Sequence, residues 1–433
     1  MRRVQTFLLA LTIAIPSSAV AQRALTLEEA VSMAKRNALV VIQAQGQSKS
    51  SSASTRAAYG AFLPSLNLTA GSTRQFTSGA RTRVENGQVV TLPSTPWSSN
   101  AGLSASMTLF AGGGRLFDLK QARAREKSAG VNETAAEFTA ALNAKQAYYN
   151  VLAARESQVA AAAQLSQAEQ QRKTAIARTN ARVATRSDSL RAEILYRTAQ
   201  LAVTEARISL DTSNASLTRA VASAEPVTAA EETSGPLGLN LDDEALRALA
   251  LNGPAVRQAQ ADLTAARAGT KSAWTDYLPS LNASYSRTGS GSGDNPEFVG
   301  SQFGYSGQLR FSASLPVFDQ FQRELRVTQA KVGQENAEAT LRDARLGALE
   351  SFTTQLGAFH SAQERVISQT ATVEAAEEDL RVQQQRYAVG ASTLLDVLTS
   401  QTQLNQARSD LIRARYDQRI AKAELEALVG REL

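Results

Sequence analysis

Residues 103–110 read LSASMTLF, and residues 311–318, 208 positions later, read FSASLPVF. In both stretches apolar side chains alternate with small polar or charged ones, which is typical of a β-strand with two different faces. The alternating apolar residues are Leu103, Ala105, Met107 and Leu109, and then Leu309, Phe311, Ala313 and Leu315. The sequence therefore predicts strands with one apolar and one polar face.

A second pair of similar stretches predicts two more strands. Residues 62–67 read FLPSLN and residues 277–282 read YLPSLN, and the same alternation follows each proline. Gly, Ser, Asn and Pro are frequent in residues 77–99 and 289–305, as in exposed turns. We predict four strands per chain, at 64–77, 100–111, 279–289 and 306–317.

The spacing of 208 residues recurs outside the strands and indicates an internal tandem duplication. Identical residues at this spacing include Arg115 and Arg323, Asp188 and Asp396, Leu217 and Leu425, and Val221 and Val429. Pro and Gly residues between the halves mark a linker. We predict a first structural repeat over 22–222, a linker over 223–240 and a second structural repeat over 241–433.

Long segments without proline predict very long helices. Residues 115–180 contain one glycine and no proline, and ten of the twenty-four residues 140–163 are alanine. About 65 helical residues extend roughly 100 Å. Small side chains leave each helix a narrow apolar stripe, so the helices must pack against one another as in a coiled coil. The predicted helices are 26–60, 114–180, 187–222, 241–276, 321–389 and 393–430, and the predicted seam of the second is Phe138, Leu142, Tyr149, Leu152, Val159 and Ala163.

Composition excludes several kinds of chemistry. The 433 residues include no cysteine and one histidine, His360, so thiolate chemistry and multi-histidine metal sites are excluded. The formal net charge is +6, but basic and acidic residues are interleaved along most of the chain, which indicates solvated helix faces rather than a nucleic-acid-binding surface. We expect no catalytic residues, no metal ligands and no cofactor.

The N-terminus predicts export. Arg2 and Arg3 precede an apolar run at 7–15, and Ala19-Val20-Ala21 offers small residues to a signal peptidase. Nine apolar residues are too few to cross a membrane, which needs about 20. We predict a signal peptide over 1–21 with cleavage after Ala21.

Two-faced strands in an exported protein favour a membrane β-barrel with an apolar outside and a wet lumen. Four strands cannot close a barrel, and an open edge is not allowed in lipid, so several copies of the chain must share one. The alternative, a soluble sheet packed on helices, is less favoured because the helices offer no broad apolar surface.

An ordered series of motifs resembles the TolC family of outer-membrane efflux proteins. These motifs are LTLEEAVSMAKRN at 25–37, the paired LPSLN segments, LFAGGGR at 109–115 and RYAVGASTLLDVL at 386–398. The resemblance implies an α+β membrane protein, in which a long antiparallel coiled-coil α-helical barrel continues into a shared transmembrane β-barrel. It also implies a homotrimer embedded in outer-membrane lipid, with a helical extension in the periplasm.

The same resemblance implies a function without enzyme activity. We expect the outer-membrane channel of a tripartite efflux or type I secretion system, a passive conduit gated at its periplasmic helix tips. The implied partners are a periplasmic adaptor (membrane fusion) protein and, through it, an inner-membrane pump. The alternative is a soluble periplasmic coiled-coil adaptor or scaffold protein. The exported substrate stays open between drugs, metal ions, siderophores and polypeptides.

The resemblance assigns roles to residues at the two helix tips, 180–188 and 387–396. The implied lumen ring is Asp396, with Thr399 in the place of a second aspartate, and the implied gate latch is Ser187, Asp188, Tyr387 and Ser392. The implied adaptor contacts are Arg182, Val183, Val389, Gly390 and Ala391.

Four further expectations concern single residues of these tips. Ser392 is expected to cap the following helix rather than to latch the gate, and Asp396 to face the lumen. Tyr387 is expected to hydrogen-bond Asp188, and Gly390 to adopt a left-handed backbone. Arg182 stands where the family has a glycine.

Overall fold

A computed structural model of the chain describes residues 23–74, 76, 82–91, 97–231, 238, 242–293, 295–296, 298 and 303–433. The predicted signal peptide and residues 232–237 and 239–240 of the predicted linker lie outside these residues. Within the described part of the chain, no helix is both long and apolar enough to cross a membrane.

The described residues form eight helices and eight strands. The helices are α1 (Leu27–Asn37), α2 (Leu39–Gly60), α3 (Gly114–Asn180), α4 (Arg186–Ala220), α5 (Asp243–Ala250), α6 (Pro254–Thr275), α7 (Gln322–Ala388) and α8 (Leu394–Val429). The strands are β1 (Arg23–Leu25), β2 (Ser65–Arg74), β3 (Thr82–Glu85), β4 (Gln88–Thr91), β5 (Trp97–Ala111), β6 (Val227–Ala229), β7 (Ser280–Gly293) and β8 (Phe303–Ser314).

The chain divides into two compact units that do not follow the predicted repeats. Of the described residues, those in 23–42, 136–242 and 352–433 form one unit, which we call the helical unit. Those in 43–135 and 243–351 form the other, the sheet unit. Each unit therefore takes residues from both halves of the sequence, because α3 and α7 each contribute to both units.

The sheet unit contains an antiparallel sheet in the order β2-β5-β7-β8. Its register aligns the predicted apolar positions, since Leu66, Ala105, Tyr285 and Leu309 lie side by side across the four strands. The next row, one residue along each strand, is polar and consists of Asn67, Ser104, Ser286 and Gln308. The predicted alternation of apolar and polar faces is therefore confirmed.

The strands extend further into the predicted loops than the sequence indicated. β5 begins at Trp97 rather than at 100, β7 runs to Gly293 rather than to 289, and β8 begins at Phe303 rather than at 306. These ends are rich in Gly and Ser, which are more typical of turns than of strands. Cross-strand hydrogen bonds hold them in the sheet, and such bonds cannot be inferred from composition. Residues 75 and 77 of the predicted first strand lie outside the described residues.

A two-stranded hairpin, β3–β4, occupies the first predicted loop. Its turn is Asn86-Gly87, and both residues have positive φ, 51° and 81°. That geometry is the type I′ turn that matches the twist of a hairpin, and Asn-Gly is its preferred sequence. The loop predicted over 77–99 therefore contains a hairpin that was not predicted.

Two predicted helices are broken. The helix predicted over 26–60 is interrupted at Ala38, whose extended backbone (φ −62°, ψ 137°) separates α1 from α2. The helix predicted over 241–276 is interrupted before Pro254, the first residue of α6, with Gly253 as its N-cap. Proline lacks a backbone N–H to donate to the preceding turn, so a new helix starts there.

In the helical unit the long helices bury narrow, regularly spaced stripes. On α8 the buried residues step by three or four positions and include Leu394, Val397, Gln401, Leu404, Ala407, Leu411, Ala414, Gln418, Ala421, Leu425 and Val429. This spacing is typical of coiled-coil packing. On α3, Val159 of the predicted seam is 66% exposed in the single chain, while Ala144, Tyr148 and Val151 are fully buried.

A short parallel pair, β1 with β6, was not predicted. Leu25 lies opposite Ala229, and both are fully buried. The Tyr148 hydroxyl donates to the carbonyl of Ala230 (2.8 Å), and Arg155 donates to that of Ala229 (2.6 Å). Side chains of α3 therefore fix β6 in place.

Candidate functional site: the two helix tips

The first tip joins α3 to α4 through a short, fully hydrogen-bonded turn. The N–H of Arg182 donates to the carbonyl of Thr179, and the N–H of Val183 donates to that of Arg178, both at 3.0 Å. This pair of bonds is a Schellman motif, which satisfies the free carbonyls at a helix end. The motif requires a left-handed residue, and here that residue is Arg182 with φ 59°.

The second tip joins α7 to α8 with the same bonds. The N–H of Gly390 donates to the carbonyl of Tyr387 (3.2 Å), and the N–H of Ala391 donates to that of Arg386 (2.8 Å). Gly390 has φ 78°, so the expected left-handed backbone is confirmed. Arg182 and Gly390 are equivalent positions, 208 residues apart.

Each tip ends in a capping box that opens the outgoing helix. The Thr185 side chain accepts from the N–H of Asp188 (3.3 Å), and the Asp188 carboxylate accepts from the N–H of Thr185 (3.0 Å). Thr393 and Asp396 make the same two bonds, at 3.3 and 2.8 Å. Both aspartates thus hold helix N-termini, where a negative charge is also favoured by the helix dipole.

The environment of Asp396 favours its charged form. Its carboxylate accepts hydrogen bonds from the backbone N–H and from the hydroxyl of Thr393 (both 2.8 Å). These bonds, with a smaller contribution from the Arg386 guanidinium, hold the pKa of Asp396 below its ordinary value. Asp396 is therefore a fixed negative charge on an exposed surface.

Ser392 does not cap α8, so that expectation is wrong. The N-cap is Thr393, one residue later, and the Ser392 hydroxyl instead donates back to the carbonyl of Gln383 (3.3 Å). The cap moves by one position because the Schellman turn at Gly390 sets where the outgoing helix begins. The signal was present in the sequence, since Thr-x-x-Asp occurs at both tips.

A contact between the tips involves a residue that sequence reasoning missed. The Arg178 guanidinium lies over the Tyr387 ring, 4.6 Å from its centre. Within one chain the expected Tyr387–Asp188 hydrogen bond is not formed, and the Oδ2 atom of Asp188 accepts from Thr185 instead. No local motif marks Arg178, because its role depends on a helix some 200 residues away.

The remaining predicted residues lie on the exposed surface of the tips. Ser187 and Thr399 are exposed, and Thr399 shares the exposed side of α8 with Asp396. Val183 and Val389 are 66% and 81% exposed, which is unusual for valine and leaves apolar groups at the end of each hairpin. The structure therefore places apolar side chains and an exposed carboxylate at the same helical end.

This arrangement presents exposed apolar groups and a charged carboxylate at the helix tips. Among the described residues, no group of three or more His, Asp or Glu side chains is placed to hold a metal ion. Two long helical hairpins with capped tips, together with a two-faced sheet, define the class of outer-membrane channel proteins with a helical extension.

Comparisons with known proteins agree with that class. The family described as Outer membrane efflux protein matches residues 30–223 and 245–431, so the chain belongs to this family. It is 24% identical over 337 residues to the outer membrane protein TolC of Escherichia coli, covering 73% of this chain and 67% of TolC. It is 26% identical over 385 residues to the pyoverdine export outer membrane protein OpmQ of Pseudomonas aeruginosa, covering 85% of this chain and 76% of OpmQ.

The fold is shared with solved channels. The outer membrane protein VceC of Vibrio cholerae superposes with a TM-score of 0.76 at 17% identity, covering 94% of this chain and 96% of VceC. The chain is thus an outer-membrane protein with a periplasmic helical extension, of the fold that joins an α-helical barrel to a β-barrel.

Proposed function

We propose that the chain is one protomer of a trimeric, passive outer-membrane conduit in a tripartite efflux or type I secretion system. The observation that carries this proposal is the sheet of the sheet unit, which has an exposed apolar face and two strand edges without a partner in the sheet. Three copies of four strands make a twelve-stranded barrel.

The exposed face is apolar where it would contact lipid. Leu68, Leu309 and Phe311 are 80%, 62% and 68% exposed, and they lie on the same face of the sheet. β2 and β8 are the outer strands of the sheet. Unpaired backbone groups are too costly in hydrocarbon, so β2 of one copy pairs with β8 of the next.

The length of β8 fits a membrane. From Phe303 to Ala313, β8 covers ten residue steps, about 33 Å at 3.3 Å per residue. Strands in such barrels are tilted by about 40°, which leaves roughly 25 Å along the membrane normal, the height of the apolar band in outer-membrane barrels.

Fractionation and conductance measurements test this function. The full chain is expressed with its N-terminal segment, membranes are fractionated, and the purified protein is added to a planar lipid bilayer. We expect an outer-membrane trimer that dissociates on heating and forms ion-conducting pores. Recovery as a soluble periplasmic monomer would instead favour the adaptor or scaffold function.

We propose that the two halves of the chain form a tandem repeat and that their tips close the periplasmic end. In this proposal Asp396 and Thr399 of three copies form a lumen ring, and Ser187, Asp188, Tyr387 and Ser392 belong to the latch. Arg182, Val183, Val389, Gly390 and Ala391 contact a periplasmic adaptor, which connects the conduit to an inner-membrane pump. The shared hydrogen-bond pattern of the tips supports the repeat, and the exposed valines support a protein contact there.

The proposed lumen ring can be tested by a substitution that removes the charge of Asp396 but keeps its capping hydrogen bond. Asp396→Asn removes the negative charge but keeps a side-chain oxygen that accepts from Thr393. We expect weaker block of single-channel conductance by divalent cations, while Asp410→Asn, further along α8, leaves the block unchanged. Equal block in the wild type and in Asp396→Asn would show that Asp396 only caps α8.

A further inference from the structure

Positive charge is concentrated on the four helix ends that adjoin the sheet. The last eleven residues of α2 and α6 and the first eleven of α3 and α7 contain nine basic and two acidic residues. The whole chain has a net charge of +6, including Arg2 and Arg3, so the remainder of the chain is net negative. We call these helix ends the basic band; its basic residues are Arg56, Arg115, Lys120, Arg123, Arg267, Lys271, Arg323, Arg326 and Lys331.

Half-exposed aromatic side chains contact two of these cations, and Arg123 also donates to the Tyr59 hydroxyl. The Arg123 guanidinium is 5.1 Å from the centre of the Tyr59 ring, and the Lys331 ammonium is 5.2 Å from that of Trp274. Tyr59 and Trp274 are 46% and 49% exposed. The two pairs hold equivalent places in the proposed repeats, so the same combination of aromatic ring and cation occurs twice.

Exposed apolar side chains separate the basic band from the sheet. Leu63 and Leu278 lie between the aromatic residues and the strands β2 and β7, and they are 69% and 49% exposed. Phe318 and Phe321 precede α7, are 71% and 67% exposed, and stack edge to face at 5.6 Å. From each of these two strands toward its helix, the apolar strand is therefore followed by an exposed apolar residue, then an aromatic ring, then cations. This is the order found where a protein passes from hydrocarbon into lipid headgroups.

We propose that the basic band binds anionic phospholipid headgroups of the periplasmic leaflet of the outer membrane. The inference rests on the proposed function, because it needs the sheet to lie in the membrane. The lipid phosphate is held by the cations, and the Tyr59 and Trp274 rings lie at the level of the glycerol backbone. Each cation near a lipid surface strengthens binding of an anionic headgroup by about fivefold.

Two cations of the basic band are best placed to hold the lipid. Arg326 already lies 2.9 Å from the Asp276 carboxylate, so part of its charge is compensated. Within the described residues, Arg123 and Lys331 form no ion pair with a carboxylate, and both are exposed. Their charges are therefore available to an anionic ligand.

Lipid titration of the purified full-length assembly tests the proposal. Native mass spectrometry measures binding of phosphatidylglycerol and of phosphatidylcholine with the same acyl chains, at low ionic strength. We expect phosphatidylglycerol to bind about tenfold more tightly. The double variant Arg123→Gln with Lys331→Gln should lose most of that preference, and binding of phosphatidylcholine should stay unchanged.

Matched variants make the result decisive. Lys173→Gln with Arg197→Gln removes one lysine and one arginine from exposed positions of the helical unit and should leave the lipid preference unchanged. Arg123→Lys with Lys331→Arg keeps the charges and should retain it. The proposal is overturned by equal affinity for the two lipids, by an equal loss in the control variant, by loss in the charge-conserving variant, or by displacement of the lipid by millimolar inorganic phosphate.

The outcome is separable from that of the proposed function. An assembly that conducts ions but does not discriminate between the two lipids would contradict the lipid site alone. A protein that binds phosphatidylglycerol selectively but forms no pore would contradict the conduit and leave the lipid site intact.

Discussion

The two helix tips have the same backbone hydrogen bonds but different residues at their sharpest point. Arg182 and Gly390 both have positive φ, 59° and 78°. In both turns a Schellman motif closes the incoming helix and a Thr-Asp capping box opens the outgoing one. An arginine accepts a left-handed conformation at a cost of about 1–2 kcal/mol, so the surrounding bonds, rather than a glycine, determine the turn.

The largest effect is expected from Gly390→Val. A β-branched side chain at φ 78° is strained whatever space surrounds it, and the Gly390 site is open. We expect the tip to lose about 2 kcal/mol, which raises amide hydrogen exchange at residues 388–393 roughly thirtyfold. Ala391→Val is the control, since Ala391 does not have positive φ. Similar exchange in both variants would show that the left-handed residue is not under strain.

Removal of the capping threonines is expected to have the next largest effect. Thr185→Ala and Thr393→Ala each remove the acceptor for the N–H of an aspartate three residues later. We expect a loss of about 1 kcal/mol at the affected tip and little change at the other. Amide hydrogen exchange in the first turn of α4 measures the stability of the first tip, and exchange in the first turn of α8 measures that of the second. A loss at one tip only would mean that the two capping boxes are not equivalent.

Arg182→Gly should make the first tip more like the second. Glycine relieves the strain at φ 59°, but it also gains entropy in the open state, so the net stabilisation is only about 0.5 kcal/mol. Exchange at residues 180–185 should slow roughly twofold. Faster exchange in this variant would show that the arginine side chain itself stabilises the turn.

The smallest effect is a pH dependence at the second tip. The pKa of Asp396 is lowered by its bonds to Thr393, so its contribution to stability is present above the ordinary pKa of about 4 and is lost as pH falls through the lower, folded value. Protection of residues 393–397, corrected for intrinsic exchange, should therefore fall on acidification below pH 4. Asp396→Asn should abolish that dependence, and its persistence in this variant would assign it to another group.

The sheet shows how much of the fold can be predicted from sequence. Alternation of apolar and polar residues predicted the strands and their two faces. Successive side chains of a strand lie on opposite faces of the sheet, and these two faces differ in polarity. The same rule did not extend to the Gly- and Ser-rich ends of β7 and β8, where pairing rather than composition holds the strand. The β3–β4 hairpin was predictable from Asn86-Gly87 but was included in a loop.

The tips show the corresponding limit for the candidate site. Thr-x-x-Asp, visible at both tips, identifies Thr185 and Thr393 as caps, and the resemblance to the family located the tips themselves. The stacking of Arg178 on Tyr387 was not predictable, because it joins helices from the two halves of the chain. Whether Asp396 forms a ring depends on other copies of the chain and stays a proposal.

The motifs of the sequence showed the resemblance to an outer-membrane family, and that resemblance located the two tips. The sequence by itself determined the periodic features of this protein, namely the two-faced strands and the long helices. These features depend on local propensity and on side-chain spacing, which a linear pattern records. Only the tertiary structure decided where α1 ends, how β1 pairs with β6 and which cation stacks on the Tyr387 ring. Such features depend on contacts between residues far apart in the chain, and their free energy appears only when the chain is folded.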